Sequence, residues 1–489
     1  VPAVPGPSTD QADLPAYGVR RVVLHTAANF ASYALNTALA LVVSVAVVRH
    51  LGRTEYGVMT FVVSYLSFFQ ILTSLSLDTV LIREAARRPA EAAELVSGAL
   101  TLRFLLSAAA ALLAWVVVPA VGGETRLTRL VMLHSGTFLF SFSALYLIRF
   151  SIELRGQLPN LVLAVWSIVY TLLRLALVAA GARVVHFLAA DVGSAAVVLL
   201  LSRWVGARFS GFRPRFLPER RLWAGLLRES WPIALATGLI GLHSRLDQML
   251  LFRLRGAGEL GGYSVAVRLA EAWGVVTNVF LVSVFPLLAR HSVEGGGRLE
   301  RTSGLAYRYL YLVICPVSVI LVLYPAPLLQ LLFSQGFGDA APALALLGLA
   351  EVFVFANAVT YNALFSRDRQ REAAWLAGLS AAANAVLNLW LIPGRGATGA
   401  ALATLASYAL VSVLGLLLPG SRALVSLGLR ALLRPAAAAA GMGVVLWALR
   451  PGLLPGLVLS ALLWPVALLA TRSLDRSDWG LWRRAVAGD

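Results

Sequence analysis

The sequence predicts an all-α polytopic membrane protein of fourteen transmembrane helices, arranged as two six-helix halves and a C-terminal pair. Three observations carry this expectation. Of 489 residues, 59% are hydrophobic and 13% charged, with a mean hydropathy of +0.79, whereas a soluble domain carries about a quarter charged residues. The apolar residues fall in runs of the ~20 residues needed to cross a bilayer as a helix. A glycine-rich corner recurs once, in the same place in each half.

Taken in order, the first 20 residues hold Pro2, Pro5, Pro7 and Pro15 and read as a disordered cytoplasmic tail ending in Arg20-Arg21. They lack the basic, apolar and cleavage-site order of a secretory signal, so the first span is expected to be an uncleaved anchor. Spans are expected at approximately 22–48, 57–80, 95–120, 128–148, 158–180, 184–204, 230–252, 261–288, 304–326, 340–364, 372–392, 397–418, 431–449 and 453–471. Pro435, Pro455 and Pro465 interrupt the last two. Residues 21–204 and 230–420 form the two halves, and 205–229 is a basic cytoplasmic linker between them. Residues 421–489 supply the last two helices and a cytoplasmic tail.

The formal charge is +17, and every basic residue is arginine. The absence of lysine excludes a P-loop and any Schiff-base chemistry. Cys315 is alone, which excludes an intrachain disulfide and a thiolate metal site. His25, His134, His186 and His243 sit on different spans with no ligand spacing, so no metal and no resident cofactor are expected. With a cytoplasmic N-terminus, 28 arginines fall in inner segments, nine in outer segments and four, Arg103, Arg174, Arg245 and Arg268, within spans. That bias is the positive-inside pattern. It predicts that both termini are cytoplasmic, and it accounts for the charge without nucleic-acid binding.

The corner after the first span reads Arg49-His-Leu-Gly52-Arg-Thr-Glu55-Tyr-Gly57, and the corner after the seventh reads Arg253-Leu-Arg-Gly256-Ala-Gly-Glu259-Leu-Gly261. R-x-x-G-x-x-E-x-G thus repeats 204 residues apart. Six spans separate the copies, so the halves are expected to be parallel repeats about an axis along the membrane normal. The stretch Val47 to Gly57, the Phe/Ser-rich helix from Phe61 to Phe69, Asp78 and Arg83-Glu84-Ala-Ala-Arg87 resemble the N-terminal signature of bacterial polysaccharide-biosynthesis flippases. Arg245-Leu-Asp247-Gln-Met-Leu-Leu with Gly261-Gly-Tyr263-Ser-Val-Ala-Val-Arg268 resembles the matching start of that family's second lobe. These proteins belong to the multidrug/oligosaccharidyl-lipid/polysaccharide exporter superfamily. The resemblance covers roughly residues 20 to 420. It implies two pseudo-symmetric lobes around a V-shaped central cavity, alternating access and a polyprenyl-pyrophosphate-linked saccharide as cargo. One departure is Ser76-Leu-Asp78, where family members often carry a glycine-containing turn.

Polar residues in helical register mark faces turned away from lipid. Such stripes are Asn29, Ser32 and Asn36; Ser64, Ser67, Gln70 and Ser74; Thr237, Gly241, Ser244 and Gln248; and Ser264, Arg268, Glu271 and Asn278. They either line a cavity or bond packed helices together. Arg174 and Asp191 lie at matching depth on either side of the turn at Gly181 and are expected to form a structural ion pair. Arg245 and Arg268 share a depth, with Asp247 placed to pair with Arg268 and Glu271 one turn below. Two guanidiniums in a low-dielectric vestibule suit a pyrophosphate. Arg103 has no evident depth-matched carboxylate; it either snorkels inward or meets a lipid phosphate. Glu351, with Asn384 at comparable depth, either couples transport to H⁺ or Na⁺ or is a protonated packing residue.

The reading these residues favour is a monomeric, non-enzymatic flippase in the bacterial cytoplasmic membrane. It would move lipid-linked oligosaccharide outward, driven by an H⁺ or Na⁺ gradient or by membrane potential. Its partners would be the lipid-linked cargo, membrane lipids and other polysaccharide-export proteins. A membrane glycosyltransferase or polymerase on the same cargo is an alternative, although the short outer loops offer few catalytic carboxylates. A drug exporter is another, although arginines in the cavity would repel a cation.

Overall fold

The backbone turns back on itself where only glycine can go. Gly52 (φ 71°, ψ 177°) and Gly256 (φ 89°, ψ 177°) adopt the same conformation, one in which side chains other than glycine's are essentially excluded. These are the two corners of the repeated motif. The computed structural model describes residues 16–88, 91–122, 125–152, 157–211, 213–243, 245–294 and 296–473. Most of both expected terminal tails therefore lies outside the described residues.

The described residues form helices joined by short turns, with no strand among them. The first half contains α1 (Ala16–Ser74), α2 (Leu77–Arg87), α3 (Ala92–Gly122), α4 (Thr125–Ser135), α5 (Ser143–Ile152), α6 (Gln157–Ala179) and α7 (Val184–Val205). The second contains α8 (Arg220–His243), α9 (Leu246–Arg255), α10 (Ala257–Glu271), α11 (Gly274–Glu294), α12 (Arg298–Leu323), α13 (Pro325–Leu332), α14 (Ala341–Ser366) and α15 (Gln370–Leu417). The pair α16 (Arg422–Leu449) and α17 (Leu453–Ala470) follows. Among the described residues, eleven helical segments are long and apolar enough to cross a membrane, fewer than the fourteen expected. One reason is physical continuity: α1 runs through Gly52, and α15 runs through Gly396 at φ 52°. A straight helix of the 48 residues of α15 would be about 72 Å long, more than twice the ~30 Å hydrocarbon thickness, so it folds back at that glycine.

Other letters of the repeated corner make contacts across the fold. A Cβ on Gly57 would lie 1.8 Å from the carbonyl oxygen of Ala257, and a Cβ on Gly261 would lie 1.9 Å from that of Arg53. Arg53 and Ala257 are themselves 204 residues apart, so the two collisions are mates about the axis predicted from the repeat. The backbones of α1 and α10 cross here at a separation that admits only hydrogen. Glu259 accepts a 2.8 Å hydrogen bond from the Ala397 amide beside the Gly396 kink. Its counterpart Glu55 accepts one from Arg126 at 2.6 Å. Arg49 donates to the carbonyls of Leu331 and Leu332.

Further bonds tie the halves together beside this crossing. Arg53 donates to the Gly258 carbonyl and pairs with Asp339. Ser64 donates to Gln248, and the Phe61 and Phe252 rings stack at 3.9 Å between centroids. The hydrophobic core follows the same division. Around the corners, one cluster joins residues of both halves, including Val48, Phe61 and Tyr65 with Leu251, Tyr263 and Val265. Away from the corners it is replaced by two separate clusters. One is built on Leu77, Leu81, Leu100 and Leu145, with Leu226 of α8 packed into it. The other is built on Leu364, Leu376, Val411 and Leu424. The halves therefore share one cluster at the corner end. At the arginine-rich end α8 of the second half packs on α2 and α3 of the first, with Arg83 paired to Glu229.

A larger side chain at either glycine should pry the corner end open. In a Cys315→Ser background, Ser64→Cys places a thiol at a buried seam position and should react slowly with a membrane-impermeant maleimide. Adding Gly57→Leu or Gly261→Leu should raise that labelling severalfold. Unchanged labelling would show that the crossing does not hold the seam closed.

Candidate functional site

In hydrocarbon, non-helical backbone survives only where protein or a water-filled cavity surrounds it. Expected spans of this chain are interrupted at mid-depth in this way. The α8–α9 junction breaks at Arg245, whose φ of −131° and ψ of −12° are not helical. α10 ends at Glu271, and α11 begins at Gly274. By helical rise, α9 and α10 carry these breaks roughly 15 to 21 Å from the Gly256 corner, close to the bilayer midplane.

The breaks bring charges together. Glu271 is exposed on its helix face and within electrostatic reach of both Arg245 and Arg268. Arg268 is exposed and Arg245 partly so, so both guanidiniums retain access to a ligand. Asp247 does not take Arg268 as partner. It is buried, accepting the Tyr263 hydroxyl and, at 2.7 Å, the Gln248 amide. The expected pairing fails because Tyr263, two turns from the corner on α10, reaches Asp247 first. Glu351 on α14 is buried and within electrostatic reach of Glu271. Asn384 instead donates to Ser407 at 3.2 Å and accepts from Asn388 at 2.8 Å. Tyr408 lies within reach of Glu271, Glu351 and Asp247. Gln248 is buried in the seam against Ser64 rather than facing open space. Asn278 is exposed on α11. The side chains of Asn29 and Asn36 lie outside the described residues.

A polar cavity of about 370 Å³ occupies the first half. Gln70, Ser74, Asp78, Arg103, Thr137 and Ser141 contribute to its lining. Here Arg103 corrects the sequence reading: it is buried and bonds Asp78 at 2.5 Å. Asp78 escaped depth matching because Leu75 and Ser76 (φ 41° and 55°) break the helix just before it, shifting α2 off the axis of α1. The 3-10 turn at Gly136–Phe140 brings Thr137 and Ser141 into the wall. The run Ser135-Gly-Thr137 followed by Ser141 and Ser143, poor in helix formers within an apolar span, was the available sequence signal for that break.

The expected Arg174–Asp191 pair is present at 3.0 Å. Tyr170 also donates to Asp191, and His134 Nδ1 stands 3.8 Å from it. The Arg174 guanidinium lies 5.4 Å from the Tyr170 ring centroid. Such a charge-matched group, enclosed between helices, is suited to holding α6 on α7, not to binding cargo.

Two family models match the chain. The polysaccharide biosynthesis protein model covers residues 22–292, and the lipid II flippase MurJ model covers residues 160–465. The chain belongs to this flippase family of the MOP exporter superfamily. Its fold agrees. The solved lipid II flippase MurJ in an inward closed conformation superposes on the flippase with a TM-score of 0.72, at 14% identity, covering 92% of this chain and 99% of that one. An inward-facing multidrug resistance MATE transporter of the MOP superfamily gives 0.58 at 14% identity, covering 84% and 98%. The eukaryotic MATE transporter AtDTX14 gives 0.58 at 17%, covering 84% and 99%. At such identities these likenesses speak to fold alone. A curated relative, an uncharacterized membrane protein of Methanocaldococcus jannaschii, is 26% identical over 117 residues, which is 24% of the flippase and 23% of that relative's length.

The pair at 19% side-chain exposure on each partner should be costly to break. Asp191→Ala should destabilise the flippase by about 3 kcal/mol, the lower end of the range for removing one partner of a buried pair. Asp191→Asn, which still accepts from Tyr170, should cost less. Thermal unfolding in detergent reads both, and an unshifted Asp191→Ala midpoint would remove the structural role.

Proposed function

We propose that the protein translocates a polyprenyl-pyrophosphate-linked oligosaccharide from the cytoplasmic to the outer leaflet by alternating access, without chemically altering it. The observation that carries this reading is the accessible arginine pair, Arg245 and Arg268, at mid-membrane helix breaks of the second half. Arg245 stands at the non-helical break itself, and Arg268 lies in the last turn of α10 before the next one. Two guanidiniums supply forked donors that match adjacent phosphates. Glu271 lies within reach of both and gives them a counter-charge when no anion is bound, which lowers the cost of holding two cations at that depth.

On this reading residues 21–204 and 230–420 act as lobes and 205–229 as their cytoplasmic link. The glycine-split α1 and α15 then count as two crossings each and α8 with α9 as one, for fourteen crossings and two cytoplasmic termini. The fused corner end is the outer gate, and the arginine-rich end admits cargo from the cytoplasmic leaflet. The headgroup rides between the lobes while the prenyl tail stays in lipid, held along α16 and α17. Rocking about the Gly57–Gly261 crossing exposes the site alternately. Glu351, buried beside Glu271, is the group for an ion-coupling step, since bringing a second charge next to a carboxylate favours binding a proton or Na⁺.

The MATE likeness supports a second reading as a drug exporter. Arg245 and Arg268 oppose a cationic substrate, so the anionic lipid cargo is preferred.

Reconstitution in proteoliposomes tests this. Given a fluorescent polyprenyl-pyrophosphate oligosaccharide, the wild-type protein should move it to the opposite leaflet unchanged in mass. Arg268→Ala should slow transfer by about 10- to 100-fold, the loss expected for hydrogen bonds to a charged group, with normal membrane insertion. Arg268→Lys should retain part of the rate. Full activity in Arg268→Ala would exclude the phosphate clamp, and a lengthened glycan would make the protein a polymerase.

A further inference from the structure

A basic cavity of about 660 Å³ lies away from the central site, between α12 and α16. Its walls are two matching helix faces. Arg301, Gly304, Leu305 and Arg308 line it from α12, and Leu427, Arg430, Ala431 and Arg434 from α16. Each set steps i, i+3, i+4, i+7, the spacing of one helix face. The α12 face thus carries arginine above and below Gly304 and Leu305, and the α16 face carries two arginines flanking Ala431, with Leu427 at its near end. The helices approach closely at the base, where a Cβ on Gly304 would stand 3.3 Å from Leu427.

The charge is unbalanced. Glu300, the acid in the lining, is already bonded by Arg367. Arg308 donates to the Ser473 carbonyl at 2.8 Å, and Arg434 donates to the Arg472 carbonyl at 3.1 Å. These carbonyls lie in the turn just past α17, so two of the four arginines stand at the negative end of that helix. Arg301 and Arg430 are exposed and form no ion pair among the described residues.

Depth selects the occupant. α17 has 18 residues, about 27 Å by helical rise, which matches the hydrocarbon thickness. Ser473, just beyond its end, therefore stands at the headgroup boundary, and Ser473 is part of the cavity wall. α16, at 28 residues, is about 42 Å long and reaches past the hydrocarbon. A site at this level, cationic inside and edged by the exposed side chains of Leu305 and Leu433, matches a molecule with an anionic head and apolar chains.

We propose that this cavity binds the phosphodiester headgroup of an anionic membrane lipid. Arg301 and Arg430 clamp the phosphate, and the acyl chains run down the outer leucines. The bound lipid bridges α12 to α16 and so fastens the C-terminal pair to the second half. The site is separate from the central arginine pair and does not depend on the flippase reading.

Native mass spectrometry of the full-length protein in detergent tests it, with dioleoylphosphatidylglycerol and dioleoylphosphatidylcholine as probes. The wild-type protein should retain phosphatidylglycerol preferentially. Arg301→Ala/Arg430→Ala should weaken that retention by about tenfold or more, from the loss of two interfacial arginines. Arg422→Ala, at an exposed arginine of α16 outside the cavity, and Arg268→Ala should leave it unchanged. The proposal is overturned if the double variant binds like wild type, or if Arg422→Ala weakens binding equally, which would indicate diffuse charge. Loss of the lipid in Arg268→Ala would move it to the central site. Displacement by inorganic phosphate at matched concentration would replace the lipid with a free anion.

Discussion

Backbone pressed on backbone, at Gly57 against Ala257 and at Gly261 against Arg53, is the contact on which the rest of the architecture depends. Because no side chain intervenes, the crossing is tight and related by the internal repeat. It leaves little room for the halves to slide, only to pivot. The bonds around it, from Arg53 to Asp339 and from Ser64 to Gln248, involve few groups and can be broken without rebuilding a core. On the far side α8 of the second half packs into the first half's cluster, while the cluster around Leu364 belongs to the second half and the C-terminal pair.

Membrane interiors penalise charge and unpaired backbone together, and this chain meets both penalties at the same places. Arg245 and Glu271 stand at helix breaks, and Asp78 follows another. A broken helix needs polar surroundings, and an intramembrane charge needs the same, so one cavity serves both. Where no cavity is wanted, as at Arg174, the charge is enclosed by Asp191 and Tyr170 on continuous helices. The intramembrane arginines are thus of two kinds, those left accessible at helix breaks and those enclosed by partners between packed helices.

Sequence reasoning located several of these features from short-range physics. Arg174 and Asp191 could be paired on paper because a tight turn at Gly181 joins two regular helices, so depth followed from counting residues. Arg103 could not be paired, because its partner Asp78 lies beyond a break at Leu75–Ser76 that counting along an ideal helix ignores. Asp247 was near enough in depth to Arg268, yet rotation about the helix axis gave it to Tyr263. Depth is a one-dimensional quantity legible in a sequence, whereas azimuth between helices is set by packing.

The sequence alone determined the fold class, because the bilayer demands long apolar helices. It also determined the internal repeat, because close backbone approach demands glycine at fixed spacing. Only the tertiary structure decided which charges meet. It placed Glu271 within reach of Arg245 and Arg268, closed Asp247 behind Tyr263, and set Arg301 and Arg308 of α12 opposite Arg430 and Arg434 of α16. Arg268 and Glu271 share one turn of α10. Arg245 meets Glu271 and Asp247 meets Tyr263 across the Gly256 corner, and the α12 and α16 arginines are far apart along the chain, so these meetings depend on how helices rotate and cross. That is fixed by the sum of many packing contacts and by no local pattern.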